Sequence, residues 1–155
     1  MTVLHSTFTL ERTYPVPPGQ VFAAWADPAT KARWFGAGEG HELDFRVGGR
    51  ELTRGRTPDG KPLAAASTYH DIVRDERIVY TTTLTGGDVL ATVSTTTVEL
   101  VPDGEGTRLV LTEQDTFLDG AEEPAWREQG TGDWLAKLGK ELAGGLSGPS
   151  GSAEG

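Results

Sequence analysis

Residues 77–101 read RIVYTTTLTGGDVLATVSTTTVELV, and this stretch decides the fold. Two runs rich in Thr, Val, Ile and Tyr, residues 77–84 and 89–101, flank Thr85-Gly86-Gly87-Asp88. Residues of that kind favour a pleated, half-buried surface, and Gly-Gly supplies the positive φ a tight reversal needs, so the stretch is a β-hairpin. The same punctuation recurs outward in both directions, at Val47-Gly48-Gly49-Arg50, Pro58-Asp59-Gly60-Lys61 and Asp103-Gly104-Glu105-Gly106. Between these turns lie expected strands at 41–47, 51–56, 63–73 and 107–116, which with the central pair make six consecutive antiparallel neighbours.

A seventh strand is expected upstream over Thr2–Tyr14, where Phe8, Leu10 and Tyr14 alternate with Thr7, Thr9, Glu11 and Thr13. Between it and the meander, Pro17-Pro18 opens a helix with Val21, Phe22 and Trp25 on one face. Asp27-Pro28 then reads as the N-cap and first residue of a second short helix ending near Trp34-Phe35. After the last strand, Trp134, Leu138 and Leu142 recur every fourth residue with Leu135 beside them, which predicts one amphipathic helix over 123–142. Gly130 and Gly132 fall inside it. They weaken it by roughly 1 kcal/mol each relative to Ala, so either its first half frays or kinks, or the small residues leave room for something beneath.

Order and composition together give an α+β domain over residues 1–142: a curved antiparallel sheet of about seven strands packed around a long C-terminal helix. A single helix cannot fill the concave face of so wide a sheet, so a pocket between the two is expected. Residues 143–155, rich in Gly and Ser with one large apolar side chain, read as a disordered tail. The 21 Gly and 9 Pro of the 155 residues are thus divided between hairpins and tail.

Composition removes several classes of function. Fourteen basic against 23 acidic residues give a net charge of −9, a sign that repels nucleic acid and anionic bilayers. No cysteine is present, which removes thiolate chemistry and suits a reducing compartment. No leader or membrane-spanning pattern is read, and the expected location is cytoplasmic.

The opening Arg12-Thr-Tyr-Pro-Val-Pro-Pro-Gly-Gln-Val-Phe-Ala-Ala-Trp-Ala-Asp-Pro28, the Trp34-Phe35 pair, Asp44-Phe-Arg-Val-Gly-Gly49, Tyr69-His-Asp-Ile-Val-Arg-Asp-Glu-Arg-Ile-Val-Tyr80 and Gly106-Thr-Arg-Leu-Val-Leu-Thr112 resemble the START-like, or SRPBCC, superfamily. Within it they are similar to the branch named after the activator of the heat-shock protein ninety ATPase, which includes polyketide cyclase-like proteins. The resemblance covers residues 6–142 and implies a helix-grip fold enclosing a cavity that holds apolar molecules in relatives.

In that arrangement Trp34, Phe35, Tyr80, Trp126 and Trp134 surround the cavity opening, with Leu138 on the long helix; Phe22 and Trp25 are read as core anchors. Strand phase adds His41, a candidate at the cavity mouth in line with Leu43, Phe45 and Val47, although an ordinary hydrogen-bonded strand-end histidine is the first reading of it. On residues 66–73 the phases Thr68, His70, Ile72 and Tyr69, Asp71, Val73 stay undecided. The candidate ligand-binding set is therefore Trp34, Phe35, His41, Phe45, Tyr69, Tyr80, Trp126, Trp134 and Leu138. Arg12, in phase with Phe8 and Leu10, is expected to pair with a carboxylate such as Glu113.

No catalytic residue is assigned. His70 and Asp71 are strand neighbours on opposite faces and cannot serve one ion, His5 stands apart, and no metal or other cofactor is expected. Gly36-Ala-Gly-Glu-Gly40 follows a helix and precedes a strand, the wrong context for a phosphate loop. The primary expectation is a non-catalytic carrier or sensor for a small apolar molecule, with a homodimer left open. The second is a cyclase, dehydratase or hydrolase using His41 or His70 with Tyr69 or Tyr80. The third, ranked last, is a chaperone-interacting role.

Overall fold

In the computed structural model, which describes residues 1–35, 40–57 and 59–154, with side chains to residue 144, the seven strands form one antiparallel sheet. They are β1 (Val3–Tyr14), β2 (Glu42–Leu43), β3 (Arg50–Arg56), β4 (Pro62–Val73), β5 (Arg77–Gly86), β6 (Val89–Asp103) and β7 (Gly106–Leu118). The sheet order is β1-β7-β6-β5-β4-β3-β2. The hairpins build β2 to β7 as a meander, and β1 closes onto the far edge of β7 in unbroken register from Val3↔Leu118 to Tyr14↔Thr107.

The helices α1 (Pro18–Ala26), α2 (Pro28–Trp34) and α3 (Pro124–Glu154) cover the concave face. Asp27 joins the first two. Its backbone N–H closes α1 on Ala23 O, and its carboxylate caps α2 by accepting from Thr30 N at 2.9 Å and Thr30 Oγ1 at 2.6 Å. These bonds hold the Asp27 carboxyl below its usual range. Helix α3 buries Thr131, Leu135, Leu138 and Leu142 at helical spacing. It runs through Gly130 and Gly132 without interruption. Gly132 lets the helix settle onto β1, since a Cβ there would stand 3.3 Å from Arg12 Nη2, and Tyr14 ties the two together by donating to Leu135 O at 2.9 Å. The expected tail at 143–155 lies, beyond Gly144, outside the residues whose side chains are described.

One strand departs from expectation. Only Glu42 and Leu43 of the 41–47 run pair with β3. From Asp44 the chain turns back on itself, with Arg46 N bonded to Asp44 O and Gly49 N to Arg46 O. Leu43 and Phe45 still pack against the core, but Val47 is 58% exposed. The turn is pinned by a reciprocal pair, Gly48 N to Tyr69 O at 2.8 Å and Tyr69 N to Gly49 O at 3.0 Å. A Cβ on Gly49 would lie 2.0 Å from Asp44 O, so Gly49→Ala must break this turn. The expected loss is roughly 1–3 kcal/mol, the scale of a strained backbone site, read as a lower midpoint of urea unfolding; an unchanged midpoint would show that the turn relaxes freely.

Two bulges settle phases the sequence leaves open. On β4, Tyr69 pairs with Tyr80 and Asp71 with Val79, so His70 is the extra residue. Tyr69 therefore points inward, His70 outward, and Ile72 inward again against the core. On β6, Ala91 is extra between Leu90 and Thr92.

Candidate functional site

Alternation along β3 to β7 carries two kinds of side chain to the concave face. At one end Ile78, Val98, Leu100, Leu109 and Leu111 pack under α1 and α3 as a dry core. At the other, the same inward phases hold Ser67, Thr82, Thr92, Ser94, Thr96, Glu113 and Asp115. Apolar packing cannot close over so many polar groups without partners. A cleft of about 260 Å³ opens there between the sheet and the first half of α3, walled by Phe35, Tyr80, Trp126 and Trp134 and by Leu63, Ala65 and Leu84. Gly130 lies on its helix side, and nothing stands within 4 Å of where its Cβ would be.

The polar end is organised by Arg127. Its Nε donates to Glu113 Oε2 at 2.7 Å, Nη1 to Glu122 Oε1 at 3.2 Å and Nη2 to Ser94 Oγ at 3.1 Å. Thr92 donates to Glu122 at 2.7 Å, and Ser67 and Thr82 bond each other at 2.7 Å. Beside Glu113 stands Asp115, buried, with no protein donor reaching either oxygen. Burial first, then the neighbouring Glu113 carboxylate, push its carboxyl up to about 8 against the pull of Arg127. Asp115 is therefore protonated at neutral pH, which lets two carboxyls share one dry site. Burial likewise pushes the Tyr80 phenol up, further raised by Glu113, so it stays neutral.

Behind Phe35 lies a second polar cluster, sealed from solvent. Lys31 Nζ donates to Glu51 Oε1 at 2.8 Å and to Tyr69 OH at 3.3 Å, Tyr69 OH donates to the same carboxylate oxygen at 2.7 Å, and His41 Nε2 meets Glu51 Oε2 at 2.8 Å. The ammonium sits 4.2 Å from the Phe35 ring centre and 5.0 Å from that of Trp25. Burial opposes ionisation of Glu51, but Lys31 and the bonds from His41, Lys31 and Tyr69 outweigh it and hold the carboxyl below its ordinary range.

The model of the family described as activator of Hsp90 ATPase homolog 1-like protein matches residues 15–143. The chain belongs to this family. With it the chain falls in the START-like superfamily, and its helix-grip fold is that of the solved relatives. The Mll3558 protein from Rhizobium loti is 46% identical, with a TM-score of 0.85 over 91% of this chain and 99% of that one. An uncharacterized protein from Rhizobium leguminosarum is 35% identical, with a TM-score of 0.87 over 92% and 97%. CalU16 from Micromonospora echinospora, 20% identical with a TM-score of 0.63 over 94% and 89%, shares the fold alone. No curated protein sequence matches.

In this family member the nine residues named from sequence fall in three places. Phe35, Tyr80, Trp126 and Trp134 come together around the cleft. Trp34 and Leu138 are packed in the dry core, where Trp34 Nε1 donates to Ala24 O at 3.0 Å. His41, Phe45 and Tyr69 belong to the Glu51 cluster and its cover, Phe45 stacking edge-on against Tyr69. Neither His41 nor His70 lines the cleft; His70 bonds Thr81 Oγ1 at 2.8 Å on the outer face. Arg12 does not pair with Glu113, because Arg127 occupies that carboxylate; Arg12 Nη1 donates to Glu11 O instead.

Glu113, Arg127, Ser94 and Thr96 were missed. A signal existed: in Leu109-x-Leu111-x-Glu113-x-Asp115-x-Phe117 two acids hold the phase of three core residues. Nothing comparable marked Arg127. Residues 36–39, which include most of the Gly-rich loop, lie outside the described residues. Among the described residues no group of three His, Asp and Glu side chains could hold a metal, and no helix is long and apolar enough to cross a membrane.

Proposed function

We propose that the protein binds a small, largely apolar molecule in the cleft between sheet and α3, as a carrier or sensor. The observation that supports this best is the make-up of the cleft, with four aromatic walls at one side and a few fixed polar groups at the other, the pattern of ligand sites in general. The absence of cysteine fits a reducing compartment, and the reading places the protein in the cytoplasm. An acid/base enzyme would have to rest on Glu113, Glu122 or Tyr80 and not on a histidine, since no histidine is in the cleft lining.

Gly130→Leu tests this reading because the side chain would enter open space. Removing a mid-helix glycine stabilises α3 by about 1 kcal/mol, so the variant is expected to fold at least as well as the wild type. Thermal shifts across a panel of fatty acids, flavonoids and polyketides, and any ligand retained in native mass spectra of fresh protein, should then be lost. A panel response that survives in Gly130→Leu would remove the cleft as the site.

A further inference from the structure

The cleft does not end at Trp126. A groove of about 600 Å³ continues from it, lined by Pro62, Leu63, Leu84, Val89, Ala91 and Trp126 among others, and it shares Leu63, Leu84, Glu122 and Trp126 with the cleft. Val89 and Trp126 on its rim are 62% and 65% exposed. The inner cleft alone, at about 260 Å³, is smaller than the roughly 300–1,000 Å³ of typical small-molecule sites; cleft and groove together reach that size.

The charges inside narrow the chemistry. Arg127 is the cation at the inner end, with three of its five N–H groups given to Glu113, Glu122 and Ser94; Arg54, Arg56 and Lys61 line the cleft and groove only from exposed positions. An entering carboxylate would be set against two carboxylates in a poorly solvated site, and an entering ammonium would lose its hydration and compete with the guanidinium for carboxylates it already pairs. What the inner end does offer is hydroxyls that both donate and accept, Ser67, Thr82, Ser94 and Thr96, beside the Glu113 carboxylate. Resting on the ligand-binding reading above, we infer that the occupant is an elongated, uncharged amphiphile. Its hydroxyl or amide end lies inside against Ser94, Thr96 and Glu113, and its apolar end lies in the groove beneath Trp126 and Val89.

A matched series on the full chain tests this: calorimetric titration at neutral pH with 1-decanol, decanamide, decanoate and decylamine, and with 1-hexanol as the short control. The alcohol and the amide are expected to bind at least about tenfold more tightly than either ion, and decanol more tightly than hexanol. Val89→Glu should weaken decanol several-fold more than hexanol, and Glu113→Gln should shrink the handicap of decanoate. Should Glu113→Gln fail to fold, the wild-type series still decides. Decanoate or decylamine binding as tightly as decanol, or a Val89→Glu effect independent of chain length, would overturn the inference while leaving the cleft a ligand site. Self-association that decanol disperses would put a second copy of the chain in the groove and overturn its assignment to the ligand. No binding by any of the five compounds would overturn the inference, and the ligand-binding reading falls with it when the wider panel and the native mass spectra are silent as well.

Discussion

Glu51→Ala is expected to lower the unfolding free energy by about 3–5 kcal/mol, the cost of removing one partner from a buried ion pair. The side chains of Lys31 and Glu51 are 0% and 2% exposed and 2.8 Å apart. Without the carboxylate, Lys31 keeps only the Tyr69 hydroxyl and the ring faces around it, and Tyr69 and His41 each lose their acceptor. The change should appear as a lower urea midpoint with little change in slope. Replacing both charges, Lys31→Met with Glu51→Leu, should recover the part of the loss that comes from the unpaired ammonium, since a well-packed apolar pair is often as stable as the ions it replaces, while Tyr69 and His41 stay without their acceptor. The pH dependence has a defined sign. The Glu51 carboxyl is held below its unfolded value of about 4.3, so its stabilising contribution is complete above that pH and disappears as the pH falls through the lower folded value. A Glu51→Ala protein as stable as the wild type would mean that water reaches Lys31.

Asp115→Asn should act in the opposite pH range. The folded carboxyl titrates at about 8 and the unfolded one at about 3.9, so between these values the native chain holds a proton that the unfolded chain releases. Its contribution is therefore complete below about pH 3.9 and is lost as the pH rises towards about 8, at up to about 1.4 kcal/mol per pH unit. An asparagine neither binds nor releases that proton. Urea unfolding at about pH 5, 7 and 9 is expected to show the variant gaining on the wild type step by step, with most of the gain made by about pH 8. Parallel curves would show that Asp115 is already ionised beside Glu113. The difference would be felt at the cleft, because Glu113, the neighbour that raises the Asp115 carboxyl, lines it.

Much of the fold was legible because the signals are local. Asp27-Pro28 caps and opens α2 through contacts three residues apart. The Gly-containing turns lie between β3 and β4, β5 and β6, and β6 and β7, joining neighbours in the sheet. Where reading failed, a contact distant in sequence had overridden the pattern. Residues 44–47 alternate as a strand should, yet the bonds between Gly48-Gly49 and Tyr69 turn them away from the sheet. Lys31, which nothing in the local sequence singles out, is fully buried, because Glu51 waits 20 positions along the chain.

The candidate site divides the same way. The sequence by itself determined that a wide sheet and one long helix would leave a pocket, since strand order and helical spacing follow from turn residues and apolar periodicity; of the aromatic candidates drawn from the family resemblance and strand phase, Phe35, Tyr80, Trp126 and Trp134 line the cleft, and Trp34, Phe45 and Tyr69 do not. Only the tertiary structure decided which phase of β4 points inward, because a one-residue bulge at His70 reverses the alternation without any mark in composition. It alone decided that Glu113 belongs to Arg127 and not to Arg12. Arg127 lies only 14 positions from Glu113 but on a different element, so the pairing exists only once α3 is laid across the sheet, whereas Arg12 on β1 turns to the carbonyl of Glu11.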